Sequence, residues 1–169
     1  ATSSDVSFDL RLAGVERGQP LVARGALWKY KDDGVDPGQD WKATNYDDSA
    51  WSSGPAQLGY GEGDEQTTTS FGPNPLARPI TTWFRGTFQV VNPTSFDAFR
   101  LELLRDDAAV VWVNGKEALR SNLNRVSAAS TTAGYSVDGP DEGAYLTTLL
   151  DPRLFVAGTN VIAVEVHQF

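Results

Sequence analysis

The chain has 169 residues, of which 40% are hydrophobic and 21% are charged, and both values fit a single globular domain. A formal net charge of −8 at pH 7 repels phosphate backbones and excludes nucleic acid as an expected partner. Cys and Met are both absent, which excludes a disulfide, a thiol nucleophile and a thiolate metal site.

The first strand is predicted over residues 5–12, where apolar and polar side chains alternate with a period of two. Residues 13–20 contain Gly, Pro and mixed charge, which favours a surface connection. The chain opens without the basic region and apolar run of a signal peptide, so we expect an excised piece of a longer protein.

The next segments alternate between apolar residues and turn formers. Residues 21–30 have a mixed apolar pattern, and residues 32–38 carry dense turn chemistry. Short polar side chains at residues 45–50 precede Trp51, which predicts a loop with a buried aromatic anchor. Residues 59–78 form a long acidic loop, and loops of this length are usually functional or specially stabilised.

The second half of the chain contains the longest apolar strands. Residues 80–91 alternate, while residues 99–104 and 108–113 are apolar on both faces, as in central strands. Asn114-Gly115 predicts a hairpin turn. Further strands are predicted at residues 145–150 and 161–167. About eight or nine short strands without a capped helix indicate an all-β antiparallel sandwich.

Four short motifs occur in the order seen in the sugar-binding jelly rolls of β-galactosidases and β-glucuronidases. They are Asp47-Asp48-Ser49-Ala50-Trp51, Thr82-Trp83-Phe84-Arg85-Gly86-Thr87-Phe88, Val111-Trp112-Val113-Asn114-Gly115-Lys116-Glu117 and Ala157-Gly158-Thr159-Asn160-Val161-Ile162-Ala163-Val164. The chain therefore resembles the galactose-binding-like superfamily.

Two further motifs resemble accessory domains of secreted bacterial proteins, often appended to metallophosphoesterases. These are Leu58-Gly59-Tyr60-Gly61-Glu62-Gly63-Asp64-Glu65 and Leu104-Arg105-Asp106-Asp107. The resemblance implies a galactose-binding-like jelly roll in a secreted or cell-surface bacterial protein, and it implies no defined ligand.

The resemblance also implies that the chain consists of two parts. In the accessory-domain family a segment similar to residues 3–12 usually follows the strand that corresponds to residues 161–168, but here it comes first. We therefore expect residues 1–14 to be a permuted strand or one from a preceding repeat, with the sandwich over residues 15–169. The first strand should then lie antiparallel to residues 161–167 or their sheet neighbour, within the chain or donated by another copy.

The sequence contains few residues that could carry out catalysis. His167 is the only histidine, and no other residue supplies the neutral-pH base that a Ser or Thr nucleophile generally requires. It is interpreted as a structural residue near a strand end. Adjacent carboxylates occur at residues 32–33, 47–48, 64–65 and 106–107, and most are interpreted as turn formers and solvated charge, since glycoside hydrolysis needs two carboxyls about 5 to 10 Å apart. We expect a non-enzyme.

Calcium is the one cofactor that the residues suggest. The long loop offers Glu62, Asp64 and Glu65 together with backbone carbonyls, and calcium takes six to eight oxygen ligands. The spacing matches no EF-hand loop, so a structural calcium ion here is a hypothesis that rests on the ligand types.

A sugar site needs an aromatic platform beside a few polar groups. The candidate ligand-binding residues are Tyr60, Trp83, Arg85, Arg105, Asp107 and Trp112. The alternative is that the tryptophans belong to the core and that Arg85 and Asp107 form an ion pair beneath the long loop.

The predicted function is a non-catalytic carbohydrate-binding-like accessory module that keeps a neighbouring domain close to polysaccharide. The alternative is a structural or adhesive repeat that assembles by strand exchange with neighbouring copies. The expected partners are a polysaccharide or glycan, neighbouring domains, or copies of the chain itself. Membrane insertion is not expected, because the longest apolar run, residues 108–113, is far shorter than the ~20 residues of a membrane helix.

Overall fold

A computed structural model of the chain describes residues 6–15, 20–61, 63–70, 72, 74, 78–124 and 127–169. The strands are β1 (Val6–Gly14), β2 (Pro20–Val22), β3 (Leu27–Lys31), β4 (Ser52–Pro55), β5 (Leu58–Tyr60), β6 (Thr67–Thr68), β7 (Thr81–Val90), β8 (Phe99–Asp106), β9 (Ala108–Val113), β10 (Lys116–Ser121), β11 (Leu146–Leu150) and β12 (Gly158–His167). Short 3₁₀ turns lie at Asp40–Lys42, Pro93–Ser95, Gly139–Asp141 and Pro152–Leu154. Within these described ranges, no helix has the length and apolar character needed to cross a bilayer.

The strands form two sheets that face each other. The first sheet has the order β11-β8-β1-β5-β6, with β2 paired to β1, and the second has the order β10-β9-β12-β7-β3-β4. The strand pairs are antiparallel except for the short β5–β6 pair. The predicted all-β antiparallel sandwich is therefore confirmed.

The main core lies between the two sheets and follows the period of two in the long strands. Phe84 of β7 stacks on Phe8 of β1 with ring centroids 4.1 Å apart, and Trp28 of β3 meets Phe8 edge-on at 4.9 Å. Each fully buried side chain of this size contributes about 1.5–3 kcal/mol through the hydrophobic effect. These rings join the two sheets at the centre of the domain.

A second apolar cluster covers the outer face of the second sheet. Trp83, Val110 and Ala163 alternate with the inward-facing residues of β7, β9 and β12, so they point away from the main core. Trp41 and Trp51, from the loop between β3 and β4, pack over them. The predicted burial of the Trp51 anchor is confirmed, and the central strands β7, β9 and β12 of the second sheet are buried on both faces where the cluster lies.

The placement of β1 differs from the prediction. Phe8 lies opposite Leu58 on β5 and Arg105 on β8, so β1 is a central strand of the first sheet. The expected pairing with residues 161–167 or their sheet neighbour is wrong, because β12 pairs with β7 and β9 in the second sheet. Alternation defines the apolar face of a strand but not its neighbour. Residues 1–5 lie outside the described ranges, and the permuted origin of residues 1–14 stays a prediction.

Two turns determine how the chain moves between strands. Residues 21–30 divide into β2 in the first sheet and β3 in the second, and Gly25, with a φ of 74°, lies between them. Asn114 and Gly115 have φ values of 50° and 78°, as a type I′ hairpin requires, and they join β9 to β10. The hairpin prediction is confirmed.

Candidate functional site

Three of the six predicted ligand residues lie on the outer face of the second sheet. Trp83 and Arg85 come from β7 and Trp112 from β9, and each is at most 5% exposed. Trp112 meets Trp41 edge-on, with ring centroids 5.3 Å apart. The two predicted tryptophans are thus members of the buried second cluster and present almost no ring surface to a ligand.

Arg85 fastens the loop between β3 and β4 to the second sheet. Its Nε donates a hydrogen bond to Asp48 Oδ2 at 2.8 Å, and its Nη1 donates to the carbonyl oxygen of Trp41. The guanidinium carbon lies 5.2 Å from the ring centroid of Tyr46, a cation–π distance. Its ion-pair partner is Asp48, so the alternative pairing of Arg85 with Asp107 is wrong.

Tyr60 and Asp107 are also buried, but at separate places. Tyr60 ends β5 inside the main core, and the Arg78 guanidinium carbon is 5.4 Å from its ring centroid. Asp107 follows β8, where Oδ1 accepts from the Val137 backbone N–H at 2.6 Å and Oδ2 from that of Phe169 at 2.9 Å. Asp107 therefore holds a loop and the end of the chain in place.

Arg105 lines a cleft of about 470 Å³ beside the end of β8. We call this concavity the Tyr135 cleft, and its other lining residues are Tyr135, Ser136, Val137, Asp138, Asp141, Ala144, Tyr145 and Leu146. Arg105 Nε donates to Ser121 Oγ at 3.2 Å, and none of the ion pairs in the described ranges includes Arg105. Its remaining N–H groups are thus available to a ligand.

Tyr135 supplies the exposed aromatic surface of this cleft, with 62% of the residue accessible. The Asn122 side chain holds its backbone from both sides, since Asn122 Nδ2 donates to the Tyr135 carbonyl at 2.6 Å and the Tyr135 N–H donates to Asn122 Oδ1 at 3.2 Å. Next to it, Ser136 Oγ donates to Asp138 Oδ1 at 3.0 Å. The ring is therefore held on a well-anchored loop.

Tyr145 also lines the cleft and is anchored to the first sheet. Its hydroxyl donates to Asp9 Oδ2 at 2.8 Å, and the Arg24 guanidinium carbon lies 3.8 Å from its ring centroid. Arg24 also pairs with Glu102 at 2.7 Å. Burial raises the pKa of Tyr145, and the hydrogen bond to the Asp9 carboxylate raises it further. The hydroxyl therefore stays protonated and fixed at neutral pH.

The Tyr135 cleft combines an exposed ring with donors and acceptors of both charges. Arg105 donates, whereas Asp138 and Asp141 accept, and a ring face can pack on the C–H groups of a sugar. Sequence reasoning identified Arg105 but missed both tyrosines. A usable signal was present, because Tyr135 is an isolated aromatic residue in the polar segment 121–143.

A second concavity of about 560 Å³ is lined in part by the loop that Arg85 fastens. Its lining includes the aromatic residues Tyr30, Tyr46 and Trp51 and the carboxylates Asp32, Asp33, Asp36 and Asp47. Each of these carboxylates accepts a backbone N–H bond, from Ser70, Val35, Gly38 and Ser49 respectively. Asp33, Asp36 and Asp47 thus stabilise turns, as short polar side chains commonly do, whereas Asp32 connects its segment to the distant Ser70.

Of the predicted calcium residues, Asp64 and Glu65 lie in the described ranges, and each accepts a hydrogen bond from the protein. Asp64 Oδ1 accepts from Gln57 Nε2 at 3.3 Å, and Glu65 Oε2 accepts from the Gly63 backbone N–H at 2.9 Å. Glu62 lies outside the described residues. Among the residues that are described, no group of three or more His, Cys, Asp or Glu side chains is arranged to hold a metal ion.

Calcium binding by this loop stays a prediction with a direct measurement. A ligand that binds only the native state stabilises it, so millimolar calcium should raise the Tm and EDTA should reverse the rise. The Asp64→Asn variant should respond less, because it lacks one carboxylate. An identical Tm in calcium and in EDTA would remove the hypothesis.

No model of a known protein family matches the chain, and no curated protein sequence matches it. Solved structures with a similar fold include a β-glucuronidase from an uncultured Clostridium species, with 18% identity over 94% of this chain and a TM-score of 0.48. They also include a β-glycosidase from Bacteroides vulgatus, with 18% identity over 86% of this chain and a TM-score of 0.49. A third is a Ruminococcus gnavus β-glucuronidase in complex with a C6-substituted uronic isofagomine, with 13% identity over 95% of this chain and a TM-score of 0.49.

The chain spans only 17–22% of the length of these three enzymes. Identities and TM-scores at this level do not indicate a shared activity or a shared ligand.

Proposed function

We propose that this domain is a non-catalytic carbohydrate-binding module of the galactose-binding-like type, and that it binds glycan in the Tyr135 cleft. The observation that carries the proposal is the exposed ring of Tyr135, held over a cleft that Arg105 and two carboxylates line. Sugar sites need this combination, because the ring packs on C–H groups while the polar groups bind hydroxyls.

The non-catalytic part of the proposal is supported by the surroundings of His167. The side chain is fully buried, with Nδ1 2.7 Å from the Thr131 carbonyl oxygen and Nε2 3.3 Å from Glu165 Oε1. Both ring nitrogens thus face protein atoms, which suits a structural role at the end of β12. The proposal also includes a secreted, multidomain bacterial parent protein, which rests on the sequence resemblance alone.

The proposal predicts that the Tyr135→Ala variant loses glycan binding. Affinity electrophoresis against a panel of neutral and acidic polysaccharides identifies a retained polymer, and calorimetry with its oligosaccharides measures the Kd. We expect Tyr135→Ala to weaken binding at least about tenfold, or ~1.4 kcal/mol, because the stacking surface is removed. Tyr135→Phe should retain most of the affinity, since it preserves the ring.

Val91→Ala is the matched control, because Val91 is 93% exposed and does not line the cleft. It should bind like the unmodified domain. Equal affinity of Tyr135→Ala and the unmodified domain would exclude the Tyr135 cleft as the site. Failure of the unmodified domain to bind any polysaccharide would contradict the glycan proposal itself.

A further inference from the structure

Two buried ionisable side chains, Glu165 and His167, lie on the outer face of β12. His167 is fully buried and Glu165 is 5% exposed. They share this face with Ala163 of the second cluster, because alternate residues of a strand point to the same side. His167 Nε2 and Glu165 Oε1 are 3.3 Å apart, and in the described ranges neither atom has another polar partner. Buried polar atoms are costly unless they are paired, so the protonation of this pair matters for the fold.

The contacts of the other ring nitrogen show that it carries a hydrogen. Nδ1 of His167 is 2.7 Å from the Thr131 carbonyl oxygen, which can only accept a hydrogen bond, so Nδ1 is the donor. Thr81 Oγ1 is 2.9 Å from Nδ1, and it donates its own hydrogen to the Ala129 carbonyl oxygen at 2.9 Å. With Nδ1 protonated, a neutral ring would turn the lone pair of Nε2 towards the Glu165 carboxylate. Two acceptors would then face each other inside the protein, which is unfavourable.

We propose that His167 is held as an imidazolium at neutral pH, paired through Nε2 with the Glu165 carboxylate, and that this pair is a charged anchor for residues 128–137. An imidazole binds a proton more tightly than a carboxylate, so the proton between the two groups belongs to the ring. The imidazolium then donates from both nitrogens, to Thr131 and to Glu165. Loss of the Nε2 proton at higher pH leaves two acceptors in contact, and the ring moves away from Thr131.

The surrounding charges leave His167 as the counter-ion of Glu165. Arg120 on β10 and Glu165 on β12 both lie opposite Val110 of β9, so the three side chains share one row of the outer face, and the positive charge of Arg120 favours an ionised Glu165. Arg120 itself pairs with Glu117 at 2.7 Å, and none of the ion pairs in the described ranges joins Glu165 to a group other than His167. Residues 128–137 carry no charge. The other neighbouring elements contribute Arg85 of β7, Asp40 and Lys42 of the first 3₁₀ turn, and Asp106 and Asp107 around the end of β8.

The anchored segment continues into the Tyr135 cleft. Besides the Thr131 contact, the Ala133 N–H donates to the Gln168 carbonyl oxygen at 2.9 Å. Tyr135 follows two residues later and is held by Asn122. The charged pair is therefore one of the contacts that position the Tyr135 loop on the second sheet. The protonation of His167 does not depend on what the cleft binds, so this proposal and the glycan proposal can fail separately.

NMR of the imidazole nitrogens measures the protonation directly in the isotope-labelled full chain. His167 is the only histidine, so a long-range nitrogen–proton correlation spectrum contains the signals of one ring. At pH 7 both nitrogens of the unmodified domain should have the shifts of a protonated ring. A neutral ring at pH 7, with hydrogen on Nδ1 alone, would overturn the proposal. This result needs no variant, so it stands even if a substitution prevents folding.

Glu165→Gln is the matched variant, because the amide has the same size and its NH₂ group can donate to an unprotonated Nε2. His167 should then be neutral at pH 7, with hydrogen on Nδ1 alone. A fully protonated ring in this variant would show that Glu165 does not hold the proton. In the unmodified domain, the amide signals of Thr131, Ala133 and Tyr135 should shift in the same step in which the ring loses its proton as the pH is raised. A ring that loses its proton while these amide signals stay constant would contradict the anchoring role.

Discussion

Replacement of Arg85 by alanine is expected to lower the free energy of unfolding by about 3–5 kcal/mol, the range measured when one partner of a buried ion pair is removed. Arg85 is 2% exposed and is bonded to the Asp48 carboxylate and to the Trp41 carbonyl. The substitution leaves these acceptors without their donor and opens a space under the Tyr46 ring. Urea denaturation followed by tryptophan fluorescence measures the loss.

Two further variants, Arg85→Lys and Asp48→Asn, separate the contributions of the two side chains to the free energy of unfolding. Lysine retains the charge but cannot donate to both acceptors in the same geometry, so Arg85→Lys should lose part of the stability. Asp48→Asn should cost less than Arg85→Ala, because the Asp48 side chain is 24% exposed and water can replace part of its interaction. A loss below about 1 kcal/mol for Arg85→Ala would show that Arg85 does not fasten the loop.

Replacement of Trp51 by alanine is expected to cost about 3–5 kcal/mol through the cavity that it leaves. Trp51 is 9% exposed, stacks on Trp41 with centroids 6.4 Å apart, and meets Tyr46 edge-on at 5.9 Å. The change therefore removes a ring that contacts two other aromatic side chains of the second cluster. Thermal and chemical denaturation measure the loss of stability.

Trp51→Phe is the matched control, because it keeps an apolar ring and should cost clearly less than alanine. Val35→Ala provides a surface reference, since Val35 is 61% exposed and should change the stability by less than about 0.5 kcal/mol. A Trp51→Ala variant as stable as the Val35→Ala variant would show that the second cluster is not a packed part of the fold.

The elements that were predictable are those with a local signal. Alternation over residues 80–91 identifies a strand, and Asn114-Gly115 identifies the turn that follows β9. Each of these signals depends on neighbours in sequence, because side-chain direction in a strand and φ in a tight turn are determined locally. The sandwich class follows from the number of such strands and the turns between them.

The pairing of strands was less predictable, because it depends on contacts between distant residues. β1 has the alternation of an ordinary half-buried strand, yet its polar Asp9 is buried and bonded to Tyr145, which is far away in the sequence. Residues 21–30 look continuous but cross between the sheets at Gly25. Neither feature has a periodic signal in the sequence.

The candidate site was also hard to predict from the sequence, because it depends on contacts between distant residues. Arg85 and Arg105 both follow apolar residues in long strands, but Arg85 lies beneath a loop and Arg105 lines a cleft. The loops that cover or expose each side chain come from distant segments, so residue type alone does not separate a structural arginine from a ligand-binding one. Tyr135 became a candidate only when its exposure and its neighbours were known.

The most direct test of the glycan proposal is an NMR titration of the isotope-labelled domain with an oligosaccharide from the retained polysaccharide. We predict that amide shifts change mainly at residues 135–138 and 144–146 and at Arg105, which line the Tyr135 cleft. Shift changes concentrated at residues 30–37 and 46–52, which border the second concavity, would contradict this account, as would the absence of any localised change at saturating sugar.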